Sequence, residues 1–315
     1  TYFAARKSER YTTVLMQGSG SFSVEACLGS VVPKDGKIVI ITNGAYGKRM
    51  VRMAEILGLK YIELGYSETE DPSAAALDQL LKKELNITHV ALVHCETTTG
   101  ILNPLEDIAR IVKNYRKIFI LDAMSSFGGI PFDMDELGVD FLISSSNKCI
   151  QGVPGFGFII AKREELIRSA GNARSLCLDI YDQWKEMDAS GKWRYTSPTH
   201  AVRAFYQALD ELEEEGGISA RFARYSENQK TLAEGMKKIG FNTLLPEYLQ
   251  SPIITSFLYP KDFNFNHFYQ AVKEKGFVLY PGKISQADTF RIGNIGDVQP
   301  SDIKRAVKAI GEVMS

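Results

Sequence analysis

The chain has 315 residues, 44% of them hydrophobic and 24% charged, with a net charge of −1. That length buries a sizeable core in one or two domains. The near-neutral balance, with Lys and Arg spread along the chain, leaves no footprint for nucleic acid.

No apolar run approaches the ~20 residues that a membrane helix needs, and no signal peptide is expected. Cys27, Cys95, Cys149 and Cys177 are widely spaced, without CxxC, and the four histidines lack HExxH spacing. Metal and disulfide readings are therefore weak, and a reducing cytoplasm is the expected compartment. Residues 12–16 read as the first strand. Gln17-Gly18-Ser19-Gly20-Ser21 follows and opens a helix. Backbone N–H groups at a helix start attract phosphate, and serine hydroxyls add hydrogen bonds. An ordinary βα turn fits the same residues. The stretch is neither G-x-G-x-x-G, because position 23 is Ser, nor a Walker loop. Residues 37–42 form the next strand, ending in Asn43-Gly44-Ala45-Tyr46-Gly47, and a helix spans 48–57. Tyr46 stands either to stack on a planar ligand or to pack the rim. A strand at 60–64, a helix at 71–83 capped by Asp71 or Ser73, and a strand at 89–94 come next. The last runs into Cys95-Glu96-Thr97-Thr98-Thr99-Gly100, and a helix covers 104–115.

Two further apolar strands end in chemistry-bearing residues. One closes on Asp122. The other runs from Phe141 through Ser144-Ser145-Ser146 into Asn147-Lys148. Taken singly, Asp122 is as well a cap and Lys148 as well a solvated lysine. Together, 26 positions apart (148 − 122), they form the pair that pyridoxal phosphate chemistry requires. The lysine makes the Schiff base, and the aspartate holds the pyridine nitrogen protonated. Alternating strands and helices imply a mostly parallel sheet with right-handed crossovers, and ligands of such sheets bind at the strand ends.

Residues 155–161 form one more strand. The stretch 176–199, with Trp193-Arg194-Tyr195-Thr196, is less regular and reads as a functional loop. Helices at 200–215 and 218–239 are broken by Gly216-Gly217. Strands at 251–258 and 277–279 and helices at 265–275 and 301–314 make a smaller α+β unit. It carries Tyr280-Pro281-Gly282-Lys283 and Phe290-Arg291-Ile292-Gly293. Arg291 is a fork for a carboxylate or phosphonate, or else a surface ion pair. The expected division is a large cofactor-binding domain at 1–216 and a small domain at 217–315.

The chain resembles the class V aminotransferases, fold-type I pyridoxal phosphate enzymes. The likeness rests on Met16-Gln17-Gly18-Ser19-Gly20-Ser21, Asn43-Gly44-Ala45-Tyr46-Gly47, Glu96-Thr97-Thr98-Thr99-Gly100, Asp122-Ala123-Met124-Ser125-Ser126, Asn147-Lys148-Cys149-Ile150-Gln151-Gly152 and Arg291-Ile292-Gly293-Asn294. It covers the chain from about residue 11 to its end. It implies an α/β fold with a mostly parallel central sheet flanked by helices and a smaller C-terminal α+β domain. It also implies roles. Lys148 is the Schiff-base lysine and Asp122 the pyridine partner. Ser19, Gly20 and Ser21 cradle the cofactor phosphate, with Asn147 approaching it. Tyr46 stacks on the ring, and Thr98 lies near its 3-hydroxyl edge. Thr196 reaches across a homodimer to the partner's phosphate. Arg291 grips the substrate anion, with Arg194 as a helper. Within the family the resemblance favours ping-pong transfer from 2-aminoethylphosphonate to pyruvate, yielding phosphonoacetaldehyde and L-alanine. The nearest alternative is alanine–glyoxylate or serine–pyruvate transamination. Family members carry some tens of residues before this point, with a Pro-Gly-Pro segment, so a preceding segment is expected.

Overall fold

The computed structural model describes residues 1–282 and 287–314; Lys283 of the Tyr280–Lys283 stretch lies outside them. In chain order the elements are β1 (Tyr11–Gln17), α1 (Gly20–Val31), β2 (Lys37–Thr42), α2 (Ala45–Ile56), β3 (Lys60–Gly65), α3 (Ala74–Lys83), β4 (His89–Val93), β5 (Cys95–Glu96), β6 (Ile101–Leu102), α4 (Leu105–Asn114), β7 (Ile118–Asp122), α5 (Met134–Leu137), β8 (Phe141–Ser145) and β9 (Phe156–Lys162). They are followed by α6 (Arg163–Arg168), α7 (Ile180–Ser190), α8 (Thr199–Glu214), α9 (Gly217–Lys238), β10 (Ile254–Leu258), α10 (Phe265–Glu274), β11 (Tyr280–Pro281), β12 (Thr289–Gly293) and α11 (Pro300–Met314).

Seven strands form the main sheet in the order β1-β9-β8-β7-β4-β2-β3. The pairings β2–β3, β2–β4, β4–β7 and β7–β8 are parallel. β9 lies antiparallel to both β8 and β1, so β1 runs with the other five. Residues of β2, β4, β7 and β8 are almost all buried, as strands covered on both faces must be. Two apolar clusters pack against the sheet. One contains Val39, Leu92, Leu121 and Phe158, the other Ile40, Ala91, Ile120 and Ile143. These alternate residues along each strand point to opposite faces.

The expected helix at 71–83 begins later. Ser73 is its N-cap, accepting from the Ala76 amide at 3.2 Å, because Pro72 and the preceding turn keep the chain extended. The stretch 176–199 contains an unexpected helix, α7. Asp179 caps its start by accepting from Asp182 N–H, and Gly191 ends it in the left-handed region at φ 70°.

A second, three-stranded sheet has the order β10-β12-β11. Its C-terminal edge strand is Tyr280–Pro281 rather than 277–279. The core beneath it contains Leu232, Met236, Phe257, Phe290 and Ile310. The two main-sheet clusters draw their buried members from residues up to Leu212. This separation supports the 216/217 division, which we retain as a proposal.

Candidate active site

The C-terminal ends of five main-sheet strands lie on one edge. β1 ends at Gln17, β2 at Thr42, β4 at Val93, β7 at Asp122 and β8 at Ser145. β9 enters the sheet there, with Phe156 opposite Gln17 and Gly157 opposite Ser145. A cavity of about 260 Å³ lies on this edge. Its wall includes Ser19, Gly20, Ser21, Tyr46, Asp122, Asn147 and Lys148. Seven residues from four different strand ends therefore share one small space.

Asp122 is 6% exposed. Its Oδ1 accepts from the Met124 amide at 2.8 Å, and its Oδ2 has no hydrogen-bond partner among the described residues. Burial pushes the carboxyl up to about 6, while the Met124 amide, Arg49 and Lys148 pull it down. A buried carboxylate short of a counter-ion suits a protonated ring nitrogen. At α1 the N-cap Ser19 makes no side-chain cap hydrogen bond, and the Phe22 amide bonds back to Ser19 O at 2.9 Å, which leaves the amides of Gly20 and Ser21, both in the cavity wall, without a helical partner. The turn into α1 needs Gly18, whose φ is 97°. These are donors that fit a phosphate.

Lys148 sits on a loop tied down on several sides. Gln151 N–H donates to Lys148 O at 2.8 Å and Gly152 N–H to Ser146 O at 2.9 Å. Cys149 Sγ–H donates to Ser125 O at 3.0 Å, joining the loops after β7 and β8. Gln151, at φ 67°, donates from Nε2 to Tyr225 Oη at 2.7 Å and to Gly296 O at 3.0 Å. Behind the loop, Arg221 Nη1 donates to Cys149 O at 2.8 Å. Glu215 binds both Arg221 (2.7 Å) and Arg224 (2.8 Å), and Arg224 reaches Gly296 O at 2.9 Å.

The remaining predicted residues stand outside the cavity wall. Thr98 is buried, with Oγ1 unpartnered. Its neighbour Thr97 donates through Oγ1 to Tyr46 Oη at 3.3 Å. Thr196 is exposed, and its carbonyl accepts from Gln17 Nε2. Arg291 is 5% exposed. It donates from Nε to Pro281 O at 3.1 Å and from Nη1 to Thr97 O at 2.7 Å, bridging the small sheet to the cavity rim. Burial draws its guanidinium below the ordinary value, and Tyr46 and Tyr280 oppose that. Arg194 points elsewhere. Its Nη1 donates to Leu176 O at 3.0 Å, and its guanidinium lies 3.7 Å from Asp182 and 5.2 Å over the Tyr195 ring. It braces α7 to the segment before it.

The cation that joins Lys148 in the wall is Arg49, which the sequence reading passed over. It lies 5.1 Å over the Tyr46 ring and donates to Ser21 Oγ at 3.1 Å. The signal for it was spacing: three residues after Tyr46 on one helix puts both side chains on one face.

Over residues 5–292 the chain matches the aminotransferase class-V family, and it belongs to that family. Among curated relatives, one from Bacteroides fragilis (strain YCH46) is 61% identical over 311 residues, covering 98% of this chain and 86% of the relative. A second, from Bacillus cereus (strain ATCC 10987 / NRS 248), is 58% identical over 311 residues, covering 98% and 85%. Both are named 2-aminoethylphosphonate–pyruvate transaminase. Among solved structures, pyridoxamine–pyruvate aminotransferase from Mesorhizobium loti superposes with a TM-score of 0.88 at 24% identity, covering 96% of this chain and 79% of that one. At that identity the likeness is one of fold, and the fold is that of the fold-type I aminotransferases.

Proposed function

We propose that the protein transfers the amino group of 2-aminoethylphosphonate to pyruvate, producing phosphonoacetaldehyde and L-alanine, with pyridoxal 5′-phosphate as cofactor. The observation that carries this reading is the meeting of Lys148, Asp122 and the Ser19–Ser21 turn in one cavity, in a chain 61% identical to a relative of that name.

When bound, the cofactor supplies an electron sink for the carbanion formed at the amine-bearing carbon. The chain supplies the rest. Lys148 Nζ would hold the cofactor covalently until the substrate amine displaces it, and the freed amine would then move the proton at the reacting carbon. Asp122 keeps a positive charge on the ring nitrogen. The α1 amides, Ser19, Ser21 and Asn147 hold the phosphate, and Arg49 adds its charge beside Ser21. Tyr46 covers the ring, and Thr98 lies on the loop at its hydroxyl side. Arg291 would hold the anion of each substrate in turn with the donors that Pro281 O and Thr97 O leave unused.

We further propose a homodimer in which Thr196 completes the partner's phosphate site; its exposure in the single chain supports this. Among the described residues no helix is long and apolar enough to cross a membrane, and we propose a cytoplasmic enzyme. Arg194 keeps no substrate role in this reading.

A panel of amino donors with pyruvate, read by L-alanine formation, tests the assignment. 2-Aminoethylphosphonate should give the highest kcat/KM. Preference for alanine or serine with glyoxylate would replace it by the alternative transamination.

A further inference from the structure

Glu96 has no part in the chemistry above, yet it is 0% exposed, one residue past Cys95 of the cavity wall. Its carboxylate accepts from two backbone amides at the start of α2. Oε1 takes the Gly47 N–H at 2.7 Å, and Oε2 takes the Tyr46 N–H at 3.1 Å. The N-cap of that helix, Gly44, has no side chain to do this work. A Cβ at Gly44 would stand 2.6 Å from Glu96 Cδ, so only glycine leaves room for the carboxylate. Glu96 thus caps α2 from a different strand end.

The same loop also holds the far end of Tyr46. Glu96 O accepts from the Thr99 and Gly100 amides, closing the turn that carries Thr97. Thr97 Oγ1 then meets Tyr46 Oη. One short segment grips the tyrosine at both its backbone and its hydroxyl.

We propose that Glu96 is a positioning residue for cofactor binding: its clamp on the Tyr46 and Gly47 amides sets the Tyr46 ring where it covers the cofactor. This rests on the reading of Tyr46 as the ring that stacks. Burial pushes the Glu96 carboxyl up to about 7. The Gly47 and Tyr46 amides on α2 lower it, Asp122 on β7 raises it, and Arg49 on α2 lowers it. The ionised carboxylate accepts both amides, whereas the protonated acid turns one oxygen into a donor facing an N–H. The clamp therefore tightens as pH rises through about 7.

The test is equilibrium titration of cofactor-free protein with pyridoxal 5′-phosphate, followed by absorbance and visible circular dichroism between pH 6 and 8.5. Glu96→Gln offers one acceptor and one misplaced donor. It should weaken the dissociation constant roughly tenfold at pH 8, the size of one lost charge-assisted contact. The gap from wild type should close towards pH 6, and the dichroism band should shrink. Glu96→Gln in a Tyr46→Leu background should add no further loss, because the path runs through the tyrosine. Equal affinity and dichroism in wild type and Glu96→Gln overturn the proposal, as does full additivity with Tyr46→Leu. A wild-type protein that binds no pyridoxal phosphate overturns the cofactor reading itself, and the proposal with it.

Discussion

The main-sheet edge and the small sheet hold their functional groups in opposite ways. On the main-sheet edge the groups face open space. Asp122, Ser19, Gly20, Ser21 and Lys148 share the wall of one cavity. On the small sheet, Arg291 is buried, and two of its donors are already taken by Pro281 O and Thr97 O. The first arrangement gathers its groups within one chain before any ligand arrives, as preorganised electrostatics require. The second has two of its five N–H donors committed to backbone carbonyls, and under the proposed reading the remaining donors would meet an anion. A cofactor that stays needs a finished cradle. Two substrates that alternate need a grip that opens and closes.

That contrast breaks most sharply at Lys148. Lys148→Ala should lower kcat by roughly 10,000-fold, the upper range for losing a proton-transfer group. Borohydride reduction and peptide mapping of the wild type should place the pyridoxyl label on Lys148. A label on Lys192 would move the whole site.

Asp122→Asn should keep cofactor content near normal and cut turnover about 100- to 1000-fold, the scale of removing one preorganised charge. Near wild-type turnover with full cofactor content would remove Asp122 from the chemistry.

Arg291→Ala sharpens the other half of the comparison. Loss of a charge-assisted contact of about 2–3 kcal/mol predicts a fall of roughly 30- to 150-fold in kcat/KM. Both half-reactions should suffer, with cofactor affinity unchanged. A variant that binds pyridoxal phosphate poorly would show that Arg291 belongs to the cradle.

The smallest effect is thermal. Burial raises the Asp122 carboxyl to about 6 and that of Glu96 to about 7. The folded, cofactor-free protein therefore holds protons that the unfolded chain has released. Its stability from these two groups is full below about pH 4 and falls as pH rises to about 7. Each contributes on the order of 2–3 kcal/mol, or a few degrees in Tm for a chain of this size. Tm of cofactor-free Asp122→Asn, measured from pH 4.5 to 7.5, should fall less than that of the wild type. Parallel curves would mean that Asp122 is not strained by its burial.

Much of the main sheet was legible because buried parallel strands are near-continuous apolar runs. Where such a run stops on a polar residue, as at Asp122 and Lys148, the strand end and the candidate site coincide. Direction was not legible. The apolar run of β9 carries no mark that it returns against its neighbours. α7 was missed because its surface is mostly polar, although Asp179 marks its start and Gly191 its end. Arg194 shows the limit of adjacency: it lies two residues before Thr196, yet the Asp182 carboxylate and Leu176 carbonyl draw it away. Arg49 shows the converse. Its place depends on the helical turn that it shares with Tyr46, and no unusual composition marks it.

Glu215 stands where α8 gives way to α9, and a single carboxylate there answers to two guanidinium groups. Arg221 leads to the carbonyls just after Lys148, and Arg224 to those that follow β12. Three side chains, Arg224, Glu215 and Arg221, thus link the Gly296 and Val298 carbonyls to the backbone just after Lys148. The backbone that follows the Arg291 strand and the backbone just after Lys148 therefore share one chain of charge-assisted contacts.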